Sequence, residues 1–325
     1  MIVEDVLYGS FEIETVLADL ILSKEVQRLK DVHMAGPAFL INSTWNETRY
    51  EHSLGVMLLI RKLGGSIEEQ IAGLLHDVSH TAFSHVVDLA LANEADDYHE
   101  KIKQRILETS AIPDILKKYG YDYQKLLLND EQWSLLEQEA PLLCCDRIDY
   151  TLREVYRYFS VSIDEIHPFL TAIKIISGKI VLESIGWAEW FVDQYKKIVI
   201  DFFYDPRNIF SYDWMAKIIR LGLDNNSLTE ADLLMTDNQF LATLKLINSD
   251  RIQELLEKIN QSPNYTVVTS NEEYDIFQKK KLRLVDPLVE VDDEVVPVSK
   301  VSIDVRKKIE KMRFSSEQGI YLKLT

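Results

Sequence analysis

Between Gly73 and His85 the chain reads GLLHDVSHTAFSH, three histidines and an aspartate set into an otherwise apolar run. Burial of such a stretch is demanding, because a buried imidazole nitrogen without a hydrogen-bond partner costs on the order of 1–3 kcal/mol. Any fold that encloses it must therefore bring partners from other segments. On a helix, His76 and Asp77 stand about 100° apart and His80 follows one turn later, so the three address one side. Imidazole and carboxylate together suit a divalent cation of borderline or hard character. Two further side chains of the same kinds lie elsewhere in the sequence: His52 in TRYEHSLG and Asp146 in CCDRIDY. With His76 and Asp77 they make two nitrogens and two oxygens, a donor set that leaves positions open for water and substrate.

The remaining segments read as helices with short connections. Glycine and proline are sparse, 11 and 8 in 325 residues, which disfavours a sandwich or barrel. Helical spacing runs over 23–31, 52–63, 67–91 (interrupted near Thr81), 97–109, 131–159, 187–204, 213–223 and 238–260. From about Tyr265 the composition shifts to β-branched runs (YTVVTS, KLRLVDPLVEV, EVVPVS, GIYLKLT) with one helical stretch, SIDVRKKIEKM, among them. The expectation is a mostly α fold: a helical domain over 1–261, with its metal-site core at about 48–160, and a small α+β appendage over 262–325. A turn or linker is expected at 261–265, QSPNY.

Charge narrows the function. The formal net charge is −17, a field that repels extended nucleic acid and anionic membranes. A small anion can bind only where a local basic pocket reverses that sign. The two cysteines, Cys144 and Cys145, are neighbours, which excludes a disulfide framework and favours a reducing compartment. No apolar run reaches the ~18 residues of a membrane span. The N-terminus lacks a secretory pattern, and a cytoplasmic location is expected.

The order of these residues, His52, then His76–Asp77, then Asp146, resembles the HD superfamily of metal-dependent phosphohydrolases. The flanks TRYEHSLGV, LLHDVSHTAFSHVVD, YHE and CDRIDYTLRE are similar to the branch containing the deoxynucleoside triphosphate triphosphohydrolases. The resemblance implies a helical HD fold and a divalent metal ion (Mn, Fe, Ni, Zn or Mg) on His52, His76, Asp77 and Asp146. It implies a nucleotide substrate, release of triphosphate from a deoxynucleoside triphosphate, and a homo-oligomer. His80 matches the histidine beside the scissile phosphate and is the leading proton donor, oriented by Asp88 or Glu100, with His99 as the second candidate. Arg49, Arg147, Tyr150 and Glu154 match phosphate and sugar contacts. His85 reads as a supporting residue, and His33 and His167 as ordinary core or surface histidines.

Two positions depart from that branch. Met34, in HMAGPAFLIN, stands where the animal enzyme places a glutamine against the sugar hydroxyl. No arginine occurs between Arg157 and Arg207, where the branch has a phosphate clamp, so Lys196 and Lys197 become the substitutes, each a point charge and not a bidentate fork. Two other readings therefore stay open: the same chemistry on a monophosphate, a cyclic nucleotide or a guanosine polyphosphate, and a nucleotide sensor with little turnover.

Overall fold

A computed structural model describes residues 1–129, 132–261 and 264–325. The chain opens with a hairpin, β1 (Ile2–Asp5) and β2 (Gly9–Glu12), followed by α1 (Thr15–Ile21) and α2 (Lys24–Arg28). Then come the helices that build the centre: α3 (Arg49–Lys62), α4 (Ile67–Leu75), α5 (Val86–Ala90), α6 (Tyr98–Glu108), α7 (Ile112–Lys118), α8 (Tyr123–Leu127) and α9 (Cys145–Phe159). After α10 (Ile163–Thr171) a second hairpin, β3 (Ile173–Ile176) and β4 (Lys179–Leu182), precedes α11 (Ile185–Lys196), α12 (Pro206–Asp224), α13 (Asp237–Leu246) and α14 (Asp250–Gln261). The C-terminal segment carries β5 (Tyr265–Val268), β6 (Ile276–Gln278), β7 (Leu288–Val291), β8 (Glu294–Pro297), α15 (Ile303–Gln318) and β9 (Ile320–Leu324). The fold is mostly helical, with its small sheets concentrated toward the C-terminus. Among the described residues no helix is long and apolar enough to cross a membrane.

Helix α3 is the axis of the structure. Thr48 and Glu51 form a reciprocal capping box at its start, and Arg61 and Lys62 sit in its last turn against the dipole. Val56 through Ile60 are fully buried, as expected of a helix enclosed on all sides. Two glycines allow its neighbours to come close. A Cβ on Gly55 would collide with the Asp149 carboxylate and Arg153 guanidinium of α9, and one on Gly73 of α4 would lie 2.5 Å from Ile60 Cδ1.

Several expected helices are shorter than their spacing suggested. Over 131–159 only α9 forms, because Pro141 interrupts the run and the 135–136 amides turn aside to the Glu69 carboxylate at 2.6 and 3.1 Å. The 238–260 stretch divides into α13 and α14, since Ser249 turns its hydroxyl to the Ile252 amide at 3.5 Å and starts a new helix. The interruption near Thr81 is real, and wider than expected: α4 ends at Leu75, and Phe83 and Ser84 adopt φ of 57° and 55°. The HD dipeptide thus sits at the end of α4, with His76 as its cap residue. Arg28 holds the loop that follows by donating to the carbonyls of Val78 and His80. Asp237 accepts the Phe83 amide at 2.7 Å.

The C-terminal strands join what precedes them. β7 pairs in parallel with β4, giving the order β3-β4-β7-β8, and a separate sheet has the order β5-β9-β6. Val285, Val289, Val305 and Met312 enter the large hydrophobic cluster around α3, whereas Ile276 and Leu322 enter a second cluster around α12. The linker expected at 261–265 falls partly on 262 and 263, outside the described residues.

The Gly55 contact yields the first prediction. Gly55→Ala overpacks the α3–α9 seam and lowers stability by about 2 kcal/mol, visible as a drop of several degrees in the thermal midpoint. An unchanged melting curve would show that the seam yields without cost.

Candidate metal centre and its cavity

Three separate elements deliver the four predicted ligands. His52 lies in the first turn of α3, His76 and Asp77 end α4, and Asp146 begins α9. His52 Nε2 is 3.0 Å from Asp146 Oδ1, 3.3 Å from His76 Nε2 and 3.9 Å from Asp77 Oδ2. His76 Nε2 is 3.5 Å from Asp77 Oδ1 and 3.7 Å from Asp146 Oδ1. Donors bound at about 2.1 Å stand roughly 3 Å apart when adjacent and roughly 4.2 Å when opposite. His52, His76 and Asp146 lie close enough together to hold one divalent ion, and Asp77 stands against both histidines, one through each carboxylate oxygen.

The imidazoles are aimed from behind. His52 Nδ1 donates to Asp149 Oδ2 at 2.8 Å and His76 Nδ1 to the Gly73 carbonyl at 2.7 Å. Both hydrogen bonds leave Nε2 turned inward. Asp149 is itself held by Tyr8 Oη at 2.7 Å and by Arg153 Nε and Nη2 at 3.1 and 2.8 Å. Burial pushes its carboxyl up, but Arg153 and His52 outweigh that and keep it ionised. Asp149 was not among the sequence candidates. Its signal was the spacing Asp146-x-x-Asp149 on one helix, which turns one carboxylate to the ion and the next to the histidine behind it.

Burial opposes charge on His52, yet hydrogen bonds to Asp146 and Asp149 raise its pKa to about 10. His76 is raised as well, against burial, chiefly by Asp77. Asp77 is held well below the usual carboxylate range: burial works against this, and Arg49, whose Nη1 lies 2.5 Å from Oδ2, leads the opposing charges.

Beside the four ligands stands a stack of neutral imidazoles. His80 and His99 lie face to face with centroids 3.8 Å apart, and His85 meets both edge-on. Burial, followed by Arg49 and His99, lowers the His80 pKa well below its usual value, and burial and His85 bring His99 to about 3. The Asp88 partner differs from the expectation. Asp88 accepts from His85 Nδ1 at 3.2 Å, from Asn93 Nδ2 at 2.6 Å and from the Tyr98 amide at 3.0 Å. The carboxylate against His80 is Asp77, 3.2 Å from Nε2. The turn at Phe83 and Ser84 is the reason, since it swings α5 so that Asp88 faces the histidine three residues before it. Glu100 approaches only His99, at 3.8 Å. His99 Nδ1 is buried without a hydrogen-bond partner.

These groups line one cavity of about 900 Å³, within the range of small-molecule sites. Met34, Arg49, Arg147, Tyr150 and Glu154 also line it. Arg49 is largely committed to Asp77 and to Ser84 Oγ at 2.7 Å. Arg147 donates to Glu137 at 2.7 Å and to the carbonyls of Gln138 and Leu142 at 2.6 and 3.2 Å. Tyr150 Oη meets Tyr195 Oη at 3.1 Å. Glu154 is buried with Oε2 unpartnered, and burial outweighs nearby cations to raise its carboxyl to about 8. Lys196 and Lys197 do not line the cavity: Lys196 pairs with Asp201 at 2.9 Å and Lys197 with Gln194 at 2.8 Å. A different basic run, Lys279–Lys281 with Arg283, crosses its mouth. Lys281 and Arg283 fall in KLRLVDPLVEV, expected to be β-rich, and Lys279 and Lys280 precede it.

A family model described as HD domain matches residues 49–153. The chain is 48% identical over 324 residues to uncharacterized protein YdhJ of Bacillus subtilis, covering 100% of this chain and 99% of that one. It is 28% identical over 296 residues to the metal-dependent phosphohydrolase cns2 of Cordyceps militaris, covering 88% of this chain and 84% of that one. Over 142 residues it is 28% identical to the deoxynucleoside triphosphate triphosphohydrolase SAMHD1 of Bos taurus, covering 37% of this chain and 24% of that one.

Two outcomes follow for metal binding. Asp149→Asn, which keeps shape and loses charge, weakens Mn²⁺ binding by about 10- to 100-fold, measured by equilibrium dialysis; equal affinity would remove Asp149 from the site. An ion must also expel the proton that His52 otherwise holds up to about pH 10. Affinity therefore rises with pH, close to tenfold per unit between roughly pH 6 and 8 for each proton released. Calorimetry in two buffers of different ionisation heat counts those protons.

Proposed function

The chain belongs to the HD domain family of metal-dependent phosphohydrolases, and from that premise we propose that it hydrolyses deoxynucleoside triphosphates to deoxynucleoside and inorganic triphosphate. The observation that carries this reading is the grouping of His52, His76 and Asp146, with Asp77 against both histidines, in a cavity of about 900 Å³. Likeness to SAMHD1 in the same part of the chain supports the substrate class.

A divalent ion on the four ligands supplies Lewis-acid charge and an activated water. The protein's own groups do the rest. Arg49 keeps Asp77 ionised and has a terminal nitrogen left for a phosphate oxygen, where charge accumulates as the bond breaks. His80 and His99 stand stacked on the cavity lining. His80 Nε2 already meets Asp77, whereas His99 Nδ1 has no hydrogen-bond partner, so His99 is the freer of the two to hydrogen-bond the substrate. Glu154, protonated near neutrality, offers a neutral hydrogen bond to the nucleoside without repelling the phosphates. Tyr150, supported by Tyr195, completes that wall.

A second reading is favoured by Met34, a thioether lining the cavity where the resemblance sets an amide against the sugar hydroxyl. It gives the same chemistry on a nucleoside monophosphate, cyclic nucleotide or guanosine polyphosphate. Product analysis separates the two. Purified protein with Mn²⁺ and a nucleotide panel is expected to release inorganic triphosphate from deoxynucleoside triphosphates, and Asp77→Ala to release none. Orthophosphate or pyrophosphate as the product moves the assignment to the second reading. Saturable binding without turnover identifies a sensor.

A further inference from the structure

We infer that the segment Lys279–Arg283 is a polyphosphate-binding strap, in which Lys280 and Arg283 receive the phosphate tail of the nucleotide. The inference deepens the reading above and rests on it only for what the tail is attached to.

The strap is built into both halves of the core. Before it, Ile276 is buried in the cluster around α12, and β6 pairs with β9 through Gln278 and Ile320. After it, Leu284 and Val285 are buried in the cluster around α3. The Asp286 amide donates to the Pro141 carbonyl at 2.8 Å, while its carboxylate accepts the Ser299 amide and hydroxyl at 2.9 and 2.6 Å. Between those anchors the backbone has no regular structure from Lys279 to Pro287. It is pinned across the mouth instead. The Lys280 amide donates to Tyr204 Oη at 3.2 Å, Lys281 Nζ to the Ala95 carbonyl at 3.3 Å, and Arg283 Nη2 lies 3.9 Å from Asp96.

Of the two cations, Lys280 has no ion pair among the described residues, and Arg283 meets Asp96 only at 3.9 Å. The Lys280 ammonium lies 4.1 Å from the centre of the Tyr212 ring. Burial lowers its pKa to about 8, with Arg283 adding to the effect and Asp96 opposing it. A cation half-removed from water beside a second cation is a costly arrangement unless an anion joins it. Arg283, 5.8 Å from the centre of the Phe203 ring, acts electrostatically on Glu154, Tyr150 and Tyr195 across the cavity. The other cations of the lining are engaged: Arg49 by Asp77, Arg147 by Glu137, and Lys103 by partners of its own. In a chain of net charge −17, the strap brings Lys279, Lys280, Lys281 and Arg283 together on the cavity lining. It does the work that the sequence comparison assigned to a clamp on α11.

Inorganic triphosphate is the probe. Calorimetry on protein loaded with Mn²⁺ and freed of excess ion is expected to show binding that weakens at least about tenfold in Lys280→Ala and in Arg283→Ala. The control Lys245→Ala, an exposed site on α13, changes it less than about twofold. Lys280→Gln and Arg283→Gln, which remove the charge but keep a polar side chain, repeat the test in case an alanine variant unfolds. With a deoxynucleoside triphosphate, the strap variants raise KM at least tenfold at near-constant kcat, while bis(p-nitrophenyl) phosphate, which has no tail, is turned over as by the wild type. Equal triphosphate affinity in all variants, no triphosphate binding by the wild type, or equal loss on the tail-less ester would each overturn the inference. Failure of the functional reading looks different: strap-dependent triphosphate binding with no deoxynucleoside released.

Discussion

The hydrogen bond from His52 Nδ1 to Asp149 is the interaction on which the rest of the site depends. It joins α3 to α9, fixes the tautomer that aims Nε2 at the ion, and sits where Gly55 lets the two helices touch. Asp149 can be ionised and fully buried there because Arg153 and Tyr8 satisfy its remaining lone pairs. Arg153 in turn pairs with Asp5 of the N-terminal hairpin at 2.9 Å. One imidazole orientation thus draws on β1, α3 and α9 together. A buried network of this kind is worth its desolvation only when complete, which ties the hairpin's docking to the metal centre.

Much of this was legible in the sequence. The four candidate ligands could be named because imidazoles and carboxylates in apolar runs have no inexpensive structural use, and the fold brings them to one cavity. Helix α3 was readable from its apolar run, and the C-terminal mixture from its β-branched residues. Positions set by tertiary packing were not readable. Asp149 looks like any helical aspartate until Gly55 is seen to bring α3 against it. Asp88 was paired with the wrong histidine because the turn at Phe83 and Ser84 uses positive φ in residues that carry no glycine signal. The hairpin β1–β2 has no strong turn dipeptide, whereas β3–β4 turns on Ser177–Gly178 at positive φ, a signal the flanking helical runs overshadowed.

The basic run shows the same limit. KKKLRL lies between β-branched stretches and reads locally as a strand continuing into LVDPLVEV. The structure keeps only Leu288–Val291 as strand, because the preceding residues are spent crossing from one hydrophobic cluster to the other. Conversely, Lys196 and Lys197 sit on a helix of suitable position, but Asp201 and Gln194 hold them. Sequence proximity to a site selected the wrong lysines. Chain crossing selected others.

The cavity sorts its titratable groups by neighbour and not by type. His52 and His76 are driven toward the charged form by carboxylates despite their burial, while burial drives His80 and His99 toward neutrality, helped by Arg49 and His99 at His80 and by His85 at His99. Glu154 is kept protonated on the opposite wall because burial outweighs the cations that reach it. Carboxylates and cations thus line the same cavity with neutral rings among them. A divalent cation beside His52, His76 and Asp146 would offset the carboxylates, and a polyanion reaching Lys280 and Arg283 would offset the cations.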